Sequence, residues 1–293
     1  MDWIIATVLA AVSYVIIAII SKEVMENVSP LFFTAVSASV STFFYLPVFI
    51  YHFSTSSLPA IYNISGFIIF SILTNVLGWF AYNQALKNDP VSVVMPLNRL
   101  QPVFVALLGV VILNEAINFR ISLGILMATF GGYLVLLKNP NHLITPFKDI
   151  LSDKGEQLAI LSAIAFGFAA ISDRIVTTNI PPELHAFFIL FGLTAILNTY
   201  LYKRNGFQHI KQTKKELKQQ TKPYLTVGIL QSISLLAILT ALSLQEASKV
   251  IPLLQIQVPL TVIAGGTLLN EEHITIKLIG STILIIGVTL VAI

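Results

Sequence analysis

Apolar blocks, each close to twenty residues long and separated by short polar turns, run through the whole 293-residue chain. Crossing the hydrocarbon core of a bilayer takes ~20 residues of helix. Spans are predicted at about 3–22, 30–52, 62–86, 91–113 and 118–137, then at about 155–176, 182–202, 223–244, 247–269 and 274–292. Turn formers mark the breaks: Asn27 to Pro30, Asn88 to Pro90, Asn139 to Asn141, and Pro181–Pro182. Charged residues make up only 11% of the chain, against ~25% in a soluble domain, so too little charge is present to cover a water-facing surface. The expected fold class is an all-α polytopic membrane protein with ten transmembrane helices. The first block, Trp3 to Ile20, follows only Asp2 and has no basic stretch before it. It reads as a retained span, not a cleaved signal.

Absent residue types narrow the chemistry. There is no cysteine, which excludes disulfides, thiol catalysis and thiolate-bound zinc. His52, His142, His185, His209 and His273 show no metal-ligand spacing. Phosphate-binding loops, dinucleotide fingerprints and nucleophile elbows are missing too, so no metal and no cofactor is implied. The net charge of +3 comes largely from the segment 203–222, expected to form a short amphipathic or solvated helix facing anionic headgroups. It does not point to nucleic acid.

The chain repeats itself. Residues 81–137 align without a gap on 237–293 at an offset of 156, with 16 identities in 57 positions. They include Ser92/Ser248, Pro96/Pro252, Gln101/Gln257, Gly109/Gly265, Gly124/Gly280 and Gly131/Gly287, and Leu113-Asn114-Glu115 matches Leu269-Asn270-Glu271. The front of each half matches more weakly at an offset of 152: Lys22/Arg174, Asn27/Asn179 and Pro30/Pro182. Two five-helix units are therefore expected, at 1–138 and 155–293, joined by a loop at 139–154. Five is odd, so the second unit enters the membrane inverted, the architecture of many secondary transporters.

Two five-helix halves, each with a Pro-containing helix, a Leu-Asn-Glu turn and a Gly-spaced helix, resemble the drug/metabolite transporter superfamily. The branch with duplicated EamA-like domains is the most similar. Pro96, Pro252, Glu115 and Glu271 are the matching motif positions. The resemblance implies a ten-helix transporter whose central cavity is lined by helices 1–4 and 6–9. It leaves open whether the substrate is an amino acid, a sugar nucleotide, a phosphorylated sugar, an amine or a drug. It also implies that both chain ends are cytoplasmic. Charge counting gives the opposite: loops after odd-numbered spans hold thirteen Lys and Arg and those after even-numbered spans hold three, placing both ends outside the cytoplasm. The expected location is the cell membrane, plasma or inner, with the orientation open.

Arg99 is the charged residue deepest inside an expected span, more than ~13 Å from either end. A central arginine costs ~2.5–3.5 kcal/mol on insertion scales, so it should face protein or water. It suits an anion clamp for a carboxylate or phosphate, or alternatively a structural lock on a neighbouring helix. Pro96 and Pro102 bracket it, and Pro252 and Pro259 lie in the matching helix. Each such proline frees a carbonyl four residues earlier: Pro102 that of Asn98, and Pro259 that of Gln255, the repeat equivalent of Arg99. Asn98, Gln101, Gln255 and Gln257 lie at the same depth. They fit either two kinked helices facing one site or hydrogen bonds between packed helices.

Asn75, Trp79, Tyr82 and Asn83 share one face of the third span, as a metabolite pocket requires. An interfacial aromatic belt is the other reading. Gln231, the equivalent of Asn75, and Tyr14 on the first span are further candidates. Glu115, Glu271, Asp173, Arg174 and Lys22 lie at helix ends, as caps, snorkelling groups or gate contacts, with Asp173 and Arg174 a candidate gate pair.

These features favour a secondary transporter, exchanger or facilitator, of a small polar, anionic or zwitterionic metabolite. An amino-acid or drug exporter is the rival within the class. Rivals from other classes are a membrane-embedded enzyme on lipid-linked substrates and a channel or structural membrane scaffold. The expected partners are a small-molecule substrate, the lipid bilayer, and either an exchange substrate or a coupling ion. Gly131-Gly132 and Gly265-Gly266 fit contacts within the chain as well as between copies, which leaves monomer and homodimer open.

Overall fold

The computed structural model describes residues 2–55, 58–88, 91–136, 153–260 and 274–292. Among these residues every regular element is a helix. The first half holds α1 (Trp3–Met25), α2 (Pro30–Thr55), the short α3 (Leu58–Asn63), α4 (Ser65–Asn88), α5 (Val91–Asn98), α6 (Gln101–Leu113) and α7 (Phe119–Leu136). The second holds α8 (Lys154–Thr177), α9 (Pro182–Asn205), α10 (Phe207–Gln219), α11 (Thr221–Leu244), α12 (Ala247–Leu254) and α13 (Ile274–Ala292). Glu271 lies outside the described residues, as do the side chains of Lys22 and Pro96.

Local chemistry sets the helix starts. The Asp2 carboxylate accepts from the Ile4 N–H at 2.8 Å, and Asp153 accepts from Gly155 at 2.8 Å. Pro30 and Pro182 open α2 and α9, where a missing N–H costs nothing. Six described helices are long and apolar enough to cross a membrane: α1, α2, α4, α8, α9 and α11. Phe43, Leu107 and Val111 are well exposed on outward faces, as lipid contact requires. The expected span 91–113 is broken into α5 and α6. The basic segment 203–222 forms α10, a surface helix joining α9 to α11.

Where the connection is described, as between α1 and α2, α6 and α7, α8 and α9, and α11 and α12, a short turn joins successive helices. One end of the bundle, here the termini face, carries the start of α1 and the end of α13. The other, the loop face, carries α10. The principal pairings join the two halves: α4 packs on α8, α1 on α11, α2 on α9, and α7 on α13. In the repeat α4 corresponds to α11 and α8 to α1, so the first two pairings are equivalents. Each half therefore lends helices to both of the resulting bundles.

Glycines set the α7–α13 contact. A Cβ at Gly124 would lie 2.7 Å from the Gly287 carbonyl oxygen, and one at Gly131 would lie 2.6 Å from that of Gly280. Gly124 is the equivalent of Gly280, and Gly131 of Gly287, so exchanging the halves exchanges the two contacts. Between α2 and α9 the hydroxyls of Thr42 and Thr194, 152 residues apart, meet at 2.9 Å.

Candidate functional site

Both equivalent helices break at the same place. α5 ends at Asn98 and α12 at Leu254, 156 residues apart. Arg99–Leu100 and Gln255–Ile256 form the turns, and helix resumes at Gln101 and at Gln257. Pro102 sits in the first turn of α6, and Pro252 lies inside α12. The carbonyl expected to be freed by Pro259 is not free: the Val258 N–H donates to the Gln255 oxygen at 2.9 Å. A tighter i-to-i+3 bond has replaced the α-helical one.

At this double break Arg99 meets its own equivalent. Its Nη1 donates to Gln255 Oε1 at 3.2 Å, and Gln255 is buried. Arg99 Nε is buried without a partner. A guanidinium holds five N–H donors in a planar fork, and one neutral amide leaves that fork short of charge. The Tyr82 hydroxyl is electrostatically coupled to Arg99. Trp79 stands edge-on to Tyr82 at 6.1 Å and to Phe166 at 5.6 Å, forming an aromatic wall. From the same helices, Asn98 donates to Ser162 at 2.9 Å and Gln101 to the Phe166 carbonyl at 3.4 Å. Both acceptors lie on α8. The site thus joins Arg99, Gln255, Tyr82, Trp79, Asn98 and Gln101.

Other sequence candidates go elsewhere. Asn75 donates to the Ser71 carbonyl at 3.0 Å. Asn83 donates to the Trp79 carbonyl at 2.6 Å and to Thr34 of α2 at 3.2 Å. Gln231 accepts from Ser41 at 3.1 Å. Gln257 is half-buried just past the second break, and Tyr14 is electrostatically coupled to Asp173.

Glu115 caps a helix of the other half. Its carboxylate accepts from the Ala247 N–H at 2.9 Å and the Ser248 N–H at 3.1 Å, the first turn of α12. Asn114 makes the turn possible by adopting the left-handed region at φ 53°. Gly109 leaves space for the carboxylate, because a Cβ there would lie 2.6 Å from Glu115 Oε2. Gly, Asn and Glu of the repeated motif thus belong to one device. At the same face Arg174 Nη1 donates to the Leu242 carbonyl of α11. Arg174 and Asp173 do not pair with each other. Neighbours on a helix point ~100° apart, and Asp173 turns to α4 and α9.

There it joins a cluster that sequence spacing did not indicate. Ser71 donates to Asp173 Oδ1. His185 Nε2 lies 2.9 Å from the same oxygen and 3.2 Å from Ser71 Oγ. All three residues are buried. The residue types are those of a hydrolase triad, but the geometry is not. One imidazole nitrogen meets both partners, and the carboxylate contacts the hydroxyl directly. A triad needs opposite ring nitrogens for the two contacts, so Ser71 is not activated as a nucleophile here.

Comparison with known proteins agrees with this architecture. The EamA-like transporter family matches residues 1–137 and 153–293. No curated protein matches the chain. A crystal structure described only as that of a protein superimposes with a TM-score of 0.76 at 14% identity, covering 99% of this chain and 96% of that one. That likeness shows a shared fold. With both halves matched, the chain belongs to the EamA-like transporter family, and it is an integral, multi-pass membrane transporter of the drug/metabolite superfamily.

Proposed function

We propose that this chain is a secondary transporter of ten spans in two inverted five-helix repeats. It moves a small polar metabolite with an anionic group, a free anion or a zwitterion, by alternating access. The observation that carries the reading is Arg99, held at the break between α5 and α6 with a neutral amide as its described partner and a buried, unpartnered Nε. A carboxylate or phosphate would complete the fork with charge-assisted bonds. Tyr82 and Trp79 would wall the pocket, and Asn98, Gln101 and Gln255 would orient polar groups. Glu115 and Arg174, which bridge the two bundles at the termini face, would act as gate contacts that part when that face opens.

The test is thermal stabilisation of the detergent-purified protein by a panel of carboxylates, phosphate esters and amino acids, in wild type and Arg99→Gln. A ligand that binds only the folded state raises stability with its concentration over Kd. The reading expects one anionic class to stabilise wild type and to lose that effect in the variant. Stabilisation unchanged by Arg99→Gln would make Arg99 a structural lock.

A further inference from the structure

We propose that Ser71, Asp173 and His185 form a proton-binding site at the termini face, and that its occupancy biases the opening of the transporter. The inference rests on the transport reading above, but the site itself stands on its own geometry. Ser71 donates to Asp173 Oδ1. That oxygen and Ser71 Oγ are both within reach of His185 Nε2, at 2.9 and 3.2 Å. In the tautomer whose Nε2–H donates to the ionised carboxylate, Nδ1, buried without a partner, is left with a free lone pair. With the carboxylate ionised, the cluster has one negative charge and a vacant basic nitrogen. One proton, added to the ring or to the carboxylate, neutralises it and breaks no covalent bond.

Packing does not require these groups. In the repeat, Asp173, His185 and Ser71 correspond to Ser21, Phe33 and Val227. Phe33 and Val227 are buried in the apolar core. The fold makes the same crossing twice, once without charge and once with an ionisable cluster, so the cluster answers to something other than folding.

The surroundings suit proton exchange with one side. Asp173 lies one helical turn before the end of α8, and His185 lies in the first turn of α9. A shallow, open surface depression lies over the intervening turn, lined by residues 177–182 and Ser243. Thr177, at its edge, donates to the Asp173 carbonyl at 2.7 Å. No second full charge neutralises the cluster among the described contacts. Arg174 is turned to the Leu242 carbonyl, and Lys249 pairs with Glu246 at 2.8 Å. From α4 come Ser71 and Asn75. Tyr14 of α1 is electrostatically coupled to Asp173, and Tyr45 of α2 to Glu183 of α9. Tyr51 and His52, at the same end of α2, stack edge-on with each other at 5.2 Å.

α8 links this site to the centre. It carries Asp173, the gate contact Arg174, and both Ser162 and Phe166, which receive Asn98 and Gln101. A change in how Asp173 holds α4 and α9 moves the helix against which the Arg99 break rests.

The test needs no transported solute. Infrared difference spectra of the full chain in lipid, taken across a pH titration, should show a carboxyl or imidazole band that titrates in wild type. It should be lost in Asp173→Asn and His185→Gln and shifted in Ser71→Ala, a variant that removes only a hydroxyl. Spectra identical in wild type and Asp173→Asn would overturn the site. Because the chain has no cysteine, Ser243→Cys supplies a single reporter for an impermeant maleimide. Its labelling rate should depend on pH, and that dependence should vanish when Asp173→Asn is added. A titrating band with pH-independent labelling would overturn the coupling. Failure of every solute to stabilise the protein would defeat the anionic-substrate reading of Arg99 while leaving the band in place.

Discussion

Arg99 and Gln255 occupy equivalent positions in the two halves, 156 residues apart, and they hydrogen-bond to each other at 3.2 Å. The bond joins the two helix breaks directly. Gln255→Leu should leave the guanidinium without its described acceptor. The expected cost is about 1–3 kcal/mol, the range for stranding a buried polar group. An anion that binds Arg99 should therefore stabilise this variant more than it stabilises wild type. Thermal unfolding with and without the stabilising solute checks both effects.

Glu115 should matter through charge and shape together. Glu115→Gln keeps an acceptor but loses the charge at the α12 N-terminus, at an expected cost of about 0.3–1 kcal/mol. Glu115→Ala also strands two N–H groups and should cost about 2 kcal/mol or more. A maleimide reporter at Ser248→Cys should label faster in Glu115→Ala than in the parent, because the contact between the bundles is released.

Backbone proximity makes the α7–α13 glycines intolerant. A Cβ at Gly287 would lie 2.6 Å from the Gly124 carbonyl oxygen, and backbone cannot step aside as a flexible side chain can. Gly287→Val and Gly131→Leu should abolish recovery of monodisperse protein. Gly66→Ala, where an added Cβ meets nothing within 4 Å, should be neutral or stabilising by up to about 1 kcal/mol. Size-exclusion profiles of the three variants make the comparison.

Docking of α10 should weaken in acid. His209 is buried, stands edge-on to Phe32 at 5.7 Å and meets Asn198 Oδ1 at 3.1 Å. Burial holds its imidazole below the ordinary value of 6.5. The undocked helix therefore binds more protons between that lowered value and 6.5, so docking is strongest above 6.5 and declines as pH falls. Hydrogen exchange of α10 amides, corrected for intrinsic rates, should show this loss of protection. His209→Asn should remove the pH dependence.

Much of the architecture was readable in the sequence because lipid and repetition leave plain marks. The break at residues 98–99 was foreshadowed by Pro96, Pro102 and the depth of Arg99, and its partner by the offset to Gln255. Helix periodicity placed Asn75 and Asn83 on one face, which is correct for a helix alone. In the fold Asn75 instead bonds back to the Ser71 carbonyl one turn earlier on α4, while Asn83 reaches Thr34 of α2, a partner that only the packing of a neighbouring helix supplies. Ser71, Asp173 and His185 come from three helices and have no shared spacing. Only their packing brings them together. The adjacency of Asp173 and Arg174 suggested a pair, but the helical twist separates them.

The most direct test of the central claim is pulsed EPR distance measurement between spin labels on α8 and α11, introduced into the cysteine-free chain. One pair, Thr178→Cys with Leu244→Cys, reports the termini face. The other, Lys154→Cys with Lys222→Cys, reports the loop face. Alternating access about the Arg99–Gln255 break predicts that adding the stabilising anion, or changing pH, lengthens one distance distribution while shortening the other. Distances that stay fixed, or that change in the same direction at both faces, would contradict it.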